Sequence, residues 1–344
     1  MSCVLIMGAG SVGCYLGGVL VAAGVDVHFV GRPRVLAALR KNGLTISDRD
    51  KRHQHIPAER LNLHEFPPTH LAPCSTLLCV KSGATVEAAQ SLNGALLPGS
   101  IVVSMQNGIG NAERAQAAAP VLECRGGMVP FNVAELSPGH FHRGTGGALV
   151  AQSLPGYDQG SDPPLFDLQA AFARQDQTLK LVADAEAMRA VQWGKLLINL
   201  NNPVNALSGR PLRAELLQRG YRRCFAALQA EALDVLNAAQ IAVTPMSPLS
   251  PDKLIALLRL PNVMFRVLAA QMLKIDAKAR SSMADDLALN RVTEIDALSG
   301  EVVRLAQSLG RNAPLNARIL ALVQAWPQNP QPYGPRELEL ALGL

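Results

Sequence analysis

A short apolar run followed at once by a glycine-rich turn opens this chain and constrains its fold more than any other feature. Val4 to Met7 has the pattern of a buried strand, and Val12 to Ala23 has the pattern of a helix. Between them the chain reads Gly8-Ala9-Gly10-Ser11-Val12-Gly13, with the spacing Gly-x-Gly-x-x-Gly. This motif between a strand and a helix predicts the first unit of a dinucleotide-binding sheet.

Each of the three glycines has a specific reason to lack a side chain. Gly8 permits a tight turn, Gly10 lets the backbone approach a pyrophosphate, and Gly13 allows the helix to pack closely on the strand. The start of the helix also offers N–H groups and a positive dipole end to an anion. The alternative is a glycine turn that binds no ligand.

Short apolar runs alternate with helical segments through the first half of the chain. Further strands are predicted at residues 25–30, 76–80 and 101–105, a helix at 85–96, and mostly β structure at 123–151. Such alternation predicts a parallel sheet covered on both faces. Residues 153–164 are rich in Gly, Pro, Ser and Asp, which is typical of a surface loop, and the sequence leaves the role of this loop open.

After about residue 180 the apolar residues follow the helical period. Helices are predicted at residues 184–201, 213–239, 252–259 and 283–309, and the prolines between 327 and 335 are expected to end the packed region. We therefore predict an α/β fold with an N-terminal Rossmann-type doubly wound sheet and an all-helical C-terminal domain. The predicted boundaries are 1–180 for the sheet domain, 181–328 for the helical domain and 329–344 for a C-terminal tail.

The composition excludes several classes of protein. Of 344 residues, 49% are hydrophobic and 17% charged, and the net charge of +5 is scattered, so we expect a small anionic ligand and no nucleic acid. Six cysteines without paired spacing suggest reduced thiols. The longest apolar run is too short to span a membrane, so a cytoplasmic protein is expected. The histidine pairs at 53/55 and 140/142 are interpreted as solvated strand residues, and no metal is predicted.

The second predicted strand ends in Phe29-Val30-Gly31-Arg32. A sheet of this kind that binds NAD has an acidic residue here for the ribose hydroxyls. Arg32 instead offers a guanidinium, which suits the 2′-phosphate of NADP, and Arg34 could assist. NADPH is therefore the predicted cofactor, the alternative being that Arg32 is an ordinary solvated arginine.

Two more polar residues follow predicted strands. Lys81 comes after the strand at 76–80, and Asn107 after the strand at 101–105. Ligands of open α/β sheets bind at the carboxyl ends of the strands. The joint position of these residues with the glycine loop predicts that they line the cofactor site.

Lys195 interrupts an apolar helical segment in the second half, and Asn199 lies one turn later on the same face. A lysine in this position either extends to solvent or works in a cleft. Reduction of a carbonyl needs a group that stabilises a developing alkoxide and gives it a proton, and a lysine ammonium can do both.

Ser282 and Glu294 are further candidates. The spacing Ser282-x-x-Asp285 resembles a capping box, so Ser282 is a candidate helix N-cap whose hydroxyl can also face a cleft. On one straight helix, Ser282 and Glu294 would lie about 120° apart and could not both face one ligand. The alternative for Glu294 is a surface carboxylate paired with Arg291 or Arg304.

Taken in order, these motifs resemble those of the ketopantoate reductases (2-dehydropantoate 2-reductases) over almost the whole chain. The matching residues are the loop 8–13, Arg32, Val80-Lys81, Gln106-Asn107-Gly108, Trp193-Gly194-Lys195-Leu196 with Asn199, Ser281 to Asp286, Thr293 to Asp296, and Gly310-x-x-x-Pro314-x-Asn316. The resemblance implies reduction of 2-dehydropantoate to (R)-pantoate with NADPH, in pantothenate and coenzyme A biosynthesis. It also implies a ternary complex in a cleft between the two domains.

The resemblance further implies a role for each candidate residue. Lys195 would donate the proton to the substrate, and Glu294 would lie beside it and the nicotinamide end of the cofactor. The cofactor would be bound by Gly8, Ala9, Gly10, Ser11, Val12, Gly13, Arg32, Lys81, Asn107 and Glu294. The substrate would be held by Lys195, Asn199, Asn202 and Ser282.

Asn202 is included because the chain departs from the family pattern. Members commonly have an asparagine eight residues after the lysine, where this chain has Pro203. Asn202 or Asn205 could substitute for it, and we favour Asn202. A further family asparagine has no counterpart in residues 210–214.

These departures keep other functions open. A different 2-oxo acid is the alternative substrate, and Arg210 or Arg213 could bind its carboxylate. A second alternative is a regulatory protein that binds NADP without catalysis. The expected partner is a small-molecule 2-oxo acid, and the sequence allows a monomer or a homodimer.

Overall fold

A computed structural model describes residues 3–50, 52–69, 71, 74–154, 162–274, 276, 279–328 and 330–344. The chain divides into two units, Met1–Gln192 and Trp193–Leu344. Among the described residues, no helix combines the length and the apolar character that crossing a membrane requires.

The strands of the described residues all lie in the first unit. In chain order they are Val4–Met7 (β1), Val27–Val30 (β2), Leu44–Asp48 (β3), His53–Ile56 (β4), Asn62–His64 (β5), Ser75–Leu78 (β6), Ile101–Ser104 (β7), Glu123–Met128 (β8), Val133–Ser137 (β9), His140–Arg143 (β10), Leu149–Gln152 (β11) and Leu179–Val182 (β12). The main sheet has the order β12-β11-β8-β7-β6-β1-β2-β5, and all its pairs are parallel except β8 with β11.

The helices, in chain order, are Ser11–Ala22 (α1), Pro33–Asn42 (α2), Thr85–Ala95 (α3), Asn111–Ala118 (α4), Pro163–Ala173 (α5), Ala185–Asn199 (α6), Asn201–Ser208 (α7), Leu212–Leu216 (α8), Arg219–Ala238 (α9), Pro251–Arg259 (α10), Asn262–Leu268 (α11), Ser282–Ala288 (α12), Ser299–Ser308 (α13), Pro314–Ala325 (α14) and Pro335–Leu342 (α15). The predicted fold class, a doubly wound sheet followed by a helical C-terminal part, is confirmed.

The central strand β1 shows why both faces of the main sheet are covered. Its four residues are all buried, and because strand side chains alternate, Val4 and Ile6 join one core while Leu5 and Met7 join another. Residues of α1 and α5 complete the first core, and residues of α3 and α4 complete the second. A continuous apolar run is what a parallel strand buried on both faces requires.

The β structure predicted at 123–151 is present, but it is shared between two sheets. Strands β8 and β11 belong to the main sheet, whereas β9 and β10 join β3 and β4 in a four-stranded sheet of order β4-β3-β10-β9. Phe141 on β10 and Ile46 on β3 bury their side chains in the same core as α1. Most of the predicted loop 153–164 lies outside the described residues, since only 153, 154 and 162–164 are described.

In the second unit the long helix α9 is surrounded by α7, α8, α10, α13, α14 and α15. The expectation that the packed region ends at the prolines is wrong, because α15 follows them and buries Leu338 and Leu342 completely. Pro335 does not interrupt this helix, since it stands in the first turn, where no intrahelical N–H bond is needed. Tyr221 on α9 also donates a hydrogen bond to the carbonyl oxygen of Tyr333 (2.7 Å).

The single helix predicted at 283–309 is also wrong, because the structure breaks it. Helix α12 ends at Ala288, a short 3₁₀ turn covers Ile295–Ala297, and α13 begins at Ser299. Asn290 takes a positive φ of 49°, and the next N–H, that of Arg291, bonds back to the Asp286 carbonyl oxygen (2.8 Å). A left-handed residue at this point is a common way of ending a helix.

Candidate active site

The glycine loop lies between β1 and α1, at the carboxyl edge of the main sheet. Gly8 has a φ of +110°, and a Cβ there would lie 2.7 Å from the backbone nitrogen of Val80. A Cβ on Gly13 would overlap the carbonyl oxygen of Gly8. Both positions therefore exclude a side chain, one through backbone conformation and one through close helix–strand packing.

Gly10 differs from these two glycines, because a Cβ built on it meets no atom within 4 Å. Its backbone is extended, and it precedes α1, whose first turn is not capped by a side chain among the described residues. The N–H groups of a helix start bind anions well, and the open space beside Gly10 is where a pyrophosphate would approach. The loop therefore fits a dinucleotide cofactor.

Arg32 is exposed and directly precedes α2, at the carboxyl end of β2. The N–H groups of Gly8 and Ala9 both donate to the carbonyl oxygen of Val30, at 3.0 and 2.8 Å. A Cβ on Gly31 would lie 2.6 Å from the Cβ of Ala9. The structure thus places Arg32 beside the glycine loop.

Lys81 and Asn107 lie on the loops that follow β6 and β7. Parallel pairing sets Met7 opposite Leu78, and Leu78 opposite Ser104, so these strands end level with one another. Lys81 is exposed and Asn107 partly exposed. The two residues therefore stand at the same sheet edge as the glycine loop, as the sequence predicted.

A hydrogen-bond network that the sequence does not predict connects these two loops. Gln106 Nε2 donates to the carbonyl oxygen of Val80 (3.0 Å). The carbonyl oxygen of Asn107 accepts from Ser82 Oγ and from Asn111 Nδ2, both at 2.8 Å. The sequence indicates only that polar residues follow an apolar strand. Local spacing does not show which residues of the two loops form hydrogen bonds with each other. The network fixes the backbone that carries Lys81 and Asn107.

In the second half of the chain, Lys195 and Asn199 lie on α6 and Asn202 on α7. Leu200 between these helices keeps a right-handed helical backbone (φ −61°, ψ −11°), so α7 continues α6. On one continuous ideal helix, spacings of four and three residues would place the three side chains within about 60° of one another. Asn199 is buried, and Lys195 and Asn202 are partly exposed. We call Lys195, Asn199 and Asn202 the polar stripe.

Trp193 and Leu196, beside Lys195 in the sequence of α6, are almost completely buried. A Cβ on Gly194 would overlap the carbonyl oxygen of Thr244, so α6 lies in close contact with the backbone of Thr244 at the residue before Lys195. Burial lowers the pKa of Lys195 to about 8. An ammonium whose pKa lies near the working pH is a better proton donor than an ordinary lysine.

Asn202 and Asn205 are distinguished by their surroundings. Asn205 is fully buried, and its Nδ2 donates to Glu215 Oε2 (3.2 Å) and to the Arg210 carbonyl oxygen (2.9 Å). Its Oδ1 accepts the backbone N–H of Ser281 (2.9 Å). Asn205 is thus occupied by structural bonds, which supports the choice of Asn202 as the candidate for substrate.

The predicted N-cap at Ser282 is wrong by one residue. Ser281 has the extended backbone of an N-cap, and its Oγ accepts the N–H of Ala284 (3.2 Å). The same hydroxyl donates to the carbonyl oxygen of Asn202 (3.2 Å). Tertiary partners on α7 therefore decide which of the two serines caps the helix. Ser282 becomes the first helical residue, exposed and next to the bond that joins α12 to α7.

Glu294 is partly exposed and precedes the 3₁₀ turn at Ile295–Ala297. Because the chain is not one straight helix from Ser282 to Glu294, the angular separation expected for these residues does not apply. Arg304, a suggested partner of Glu294, binds Asp296 (3.1 Å) and Glu301 (2.6 Å).

The remaining candidates are the two arginines and the histidine pairs. Arg210 and Arg213 are both exposed. Ser47 Oγ lies 2.8 Å from His140 Nε2 and 2.9 Å from His142 Nδ1 on the four-stranded sheet. Within the described ranges, no group of three or more His, Cys, Asp or Glu side chains has an arrangement suited to a metal ion.

Two family models match the chain. Residues 4–156 match the model described as ketopantoate reductase PanE/ApbA, and residues 187–326 match the model of the C-terminal part of the same proteins. Together the two matches include the glycine loop and the polar stripe.

Proteins of known name resemble the chain over nearly its full length. A 2-dehydropantoate 2-reductase of Pyrococcus horikoshii is 26% identical, over 94% of this chain and 96% of that protein. The 2-dehydropantoate 2-reductase of Halobacterium salinarum is also 26% identical, over 93% of this chain and 97% of that protein.

Solved structures have the same fold. A PanE/ApbA family ketopantoate reductase from Ralstonia eutropha JMP134 has a TM-score of 0.74 at 27% identity, over 93% of this chain and 97% of that one. D-mandelate dehydrogenase, solved with NADH and anilino(oxo)acetate, has a TM-score of 0.71 at 17% identity, over 94% of this chain and 97% of that one. The second likeness concerns the fold alone.

Proposed function

The chain belongs to the ketopantoate reductase family, whose members are oxidoreductases acting on 2-oxo acids, and from this premise we propose that it reduces 2-dehydropantoate to (R)-pantoate with NADPH. The observation that carries the proposal is the polar stripe, a cation and two carboxamides at successive turns of α6 and α7. Such groups suit the keto oxygen and the carboxylate of a 2-oxo acid. The reaction would serve pantothenate and coenzyme A biosynthesis in the cytoplasm.

We propose that the first unit holds the cofactor, which supplies the hydride when bound. The backbone of the loop 8–13 would bind the pyrophosphate, with Gly10 leaving the space for its approach. Arg32 would bind the 2′-phosphate, and Lys81 and Asn107 would contact the cofactor at the same sheet edge. Because the loops after β6 and β7 are hydrogen-bonded to each other, Lys81 and Asn107 are held before any ligand binds.

Lys195 is the proposed proton donor. Its ammonium would bind the keto oxygen of the substrate, stabilise the negative charge that develops there, and pass a proton from Nζ to that oxygen. Asn199, Asn202 and Ser282 would hold the rest of the substrate, and Glu294 would act beside Lys195 and the nicotinamide end of the cofactor.

The test of this function is NADPH oxidation in the presence of 2-dehydropantoate and several other 2-oxo acids. We expect the highest kcat/KM with 2-dehydropantoate. A higher value with another 2-oxo acid would favour the alternative substrate, for which Arg210 or Arg213 would supply the carboxylate contact. NADPH binding without oxidation across the whole panel would favour a non-catalytic protein.

Arg32→Ala is expected to weaken NADPH binding about 10- to 100-fold, because a charge-assisted bond to phosphate contributes about 1.5–3 kcal/mol. NADH lacks the 2′-phosphate, so its Kd should change little. Fluorescence titration of both cofactors measures the difference, and Arg40→Ala, at the far end of α2, is the matched control. Equal losses for NADPH and NADH would contradict the assignment of Arg32 to the phosphate.

Assembly is a separate proposal. A ketopantoate reductase from Staphylococcus aureus is named as dimeric, and its likeness to this chain, at 18% identity, concerns the fold. A monomer and a homodimer both stay open for this chain, and light scattering would decide between them.

A further inference from the structure

Glu215 on α8 carries a carboxyl group that the proposed reaction does not use. Its side chain is 0% exposed, although glutamate is seldom fully buried without a positively charged partner. Placing a charged carboxylate in such a position costs free energy that only hydrogen bonds or a counter-charge can offset. A buried glutamate therefore needs a structural or functional reason.

The hydrogen bonds of Glu215 are concentrated on one oxygen. Oε2 accepts from Asn201 Nδ2 at 3.1 Å and from Asn205 Nδ2 at 3.2 Å, both on α7. Among the described residues, neither Glu215 Oε1 nor Asn201 Oδ1 has a hydrogen-bond partner. A proton on Oε1 would turn that oxygen into a donor, next to a carboxamide with an unused acceptor.

A continuous chain of bonds leads from Glu215 to the proposed substrate residues. Asn205, held by Glu215, accepts the N–H of Ser281 at 2.9 Å. Ser281 in turn caps α12 and donates to the carbonyl oxygen of Asn202 at 3.2 Å. Helix α7, which carries Asn202, and helix α12, which begins with Ser282, are thus joined through Asn205 and Ser281. Of these two residues, Asn205 is bound directly by the carboxyl group of Glu215.

Burial disfavours the charged form of Glu215 more than its hydrogen bonds favour it. Burial raises the pKa of Glu215 to about 8, in spite of the opposing bonds from Asn201 and Asn205. Tyr221 and Cys224 face it from α9, and burial raises the pKa of each, with a further rise from the charge of Glu215. Arg210 is exposed and interacts with Tyr221, whereas the buried Arg222 on α9 donates to the carbonyl oxygen of Leu216, the residue after Glu215 (2.8 Å).

We propose that Glu215 is a positioning residue for the 2-oxo acid site, which in its neutral form fixes Asn201 and Asn205 and thereby the segments carrying Asn202 and Ser282. This inference rests on the proposed function. Loss of the proton places a negative charge in a fully buried position, which the structure relieves by loosening the bonds between α7, α8 and the start of α12. Substrate binding then weakens, while the cofactor loop, in the other unit, is unaffected.

The test compares the full-length wild type with Glu215→Gln, because glutamine has the shape and hydrogen-bonding groups of a neutral carboxyl and does not titrate. KM for 2-dehydropantoate is measured from about pH 7 to about pH 9, a range over which a group of pKa about 8 passes from mostly protonated to mostly ionised. Glu301→Gln, which removes a carboxylate bound to Arg304 on α13, is the matched control. NADPH affinity is measured in parallel.

Loss of the Lys195 ammonium raises KM of every variant over this range, and we expect KM of the wild type and of Glu301→Gln to rise about fivefold or more beyond the rise seen in Glu215→Gln. The pH dependence of kcat should be the same in all three proteins, since it follows Lys195. An equal rise of KM in Glu215→Gln, or a flat KM in the wild type, would overturn the proposal. Glu215→Ala should raise KM at every pH, with unchanged affinity for NADPH.

A thermal measurement separates this proposal from the function on which it rests. The folded protein keeps the carboxyl proton between about pH 4.5 and about pH 8, where the unfolded chain has lost it, so the wild-type Tm should fall as the pH rises through that window. The Tm of Glu215→Gln should not show this decrease with rising pH. If no 2-oxo acid is reduced but the two Tm profiles differ as expected, only the proposed function is contradicted. If the wild type and Glu215→Gln have parallel Tm profiles, Glu215 is not held in its neutral form, and the proposal for Glu215 is overturned.

Discussion

Lys195→Ala is expected to lower kcat about 10²- to 10⁴-fold, the usual contribution of a positioned general acid. The variant loses both the proton donor and the positive charge that stabilises the developing alkoxide. NADPH affinity should stay unchanged, because the loops assigned to the cofactor belong to the other unit. Steady-state kinetics with 2-dehydropantoate, together with fluorescence titration of NADPH, measure the two effects.

The matched control is Lys253→Ala, which removes an exposed lysine from α10 in the same unit. Wild-type kcat should fall above about pH 8, since burial lowers the pKa of Lys195 to about 8 and the donor must be protonated. Turnover of Lys195→Ala near that of the wild type would reject Lys195 as the proton donor.

Gly10→Val is expected to weaken binding of NADPH and NADH about 100-fold or more, equivalent to about 3 kcal/mol. The backbone of Gly10 is extended and a Cβ there meets no atom within 4 Å, so the unliganded protein offers open space where the added side chain would enter the position assigned to the pyrophosphate. Thermal unfolding should therefore give a Tm close to that of the wild type, whereas cofactor titration should show the loss.

Gly94→Ala on α3 is the control, because its Cβ also meets no atom within 4 Å. Gly13→Ala provides the contrast, since a Cβ there would overlap the carbonyl oxygen of Gly8 and should lower the Tm. Normal cofactor affinity in a folded Gly10→Val protein would show that the pyrophosphate does not bind at this loop.

The strand β1, the glycine loop and α1 could be predicted because their signals are local. Four apolar residues, a fixed glycine spacing and a helical segment follow each other without interruption. The loops at Lys81 and Asn107 could be placed at the same edge by topology alone, since parallel strands end on the same side. The network around Gln106 and Asn111 could not be predicted, because its partners come from different loops.

The errors in the second unit have tertiary causes. Apolar spacing continues past Ala288, but Asn290 leaves the right-handed helical region and ends the helix. Two adjacent serines carry the same capping signal, and bonds to Asn202 and Asn205, 79 and 76 residues away, select Ser281. Such choices depend on the assembled fold, which periodicity does not describe.

The packing of α15 on α9 has a consequence for synthesis on the ribosome. Helix α9 ends at Ala238, and the residues that cover one of its sides, among them Leu338 and Leu342, are translated about 100 residues later. At a translation rate of about 5–20 residues per second, synthesis of these residues takes about 5–20 s, during which the apolar side chains of α9 stay uncovered. The nascent helical unit therefore exposes apolar surface during that interval, whereas β1 and β2 of the sheet unit can pair soon after they leave the exit tunnel.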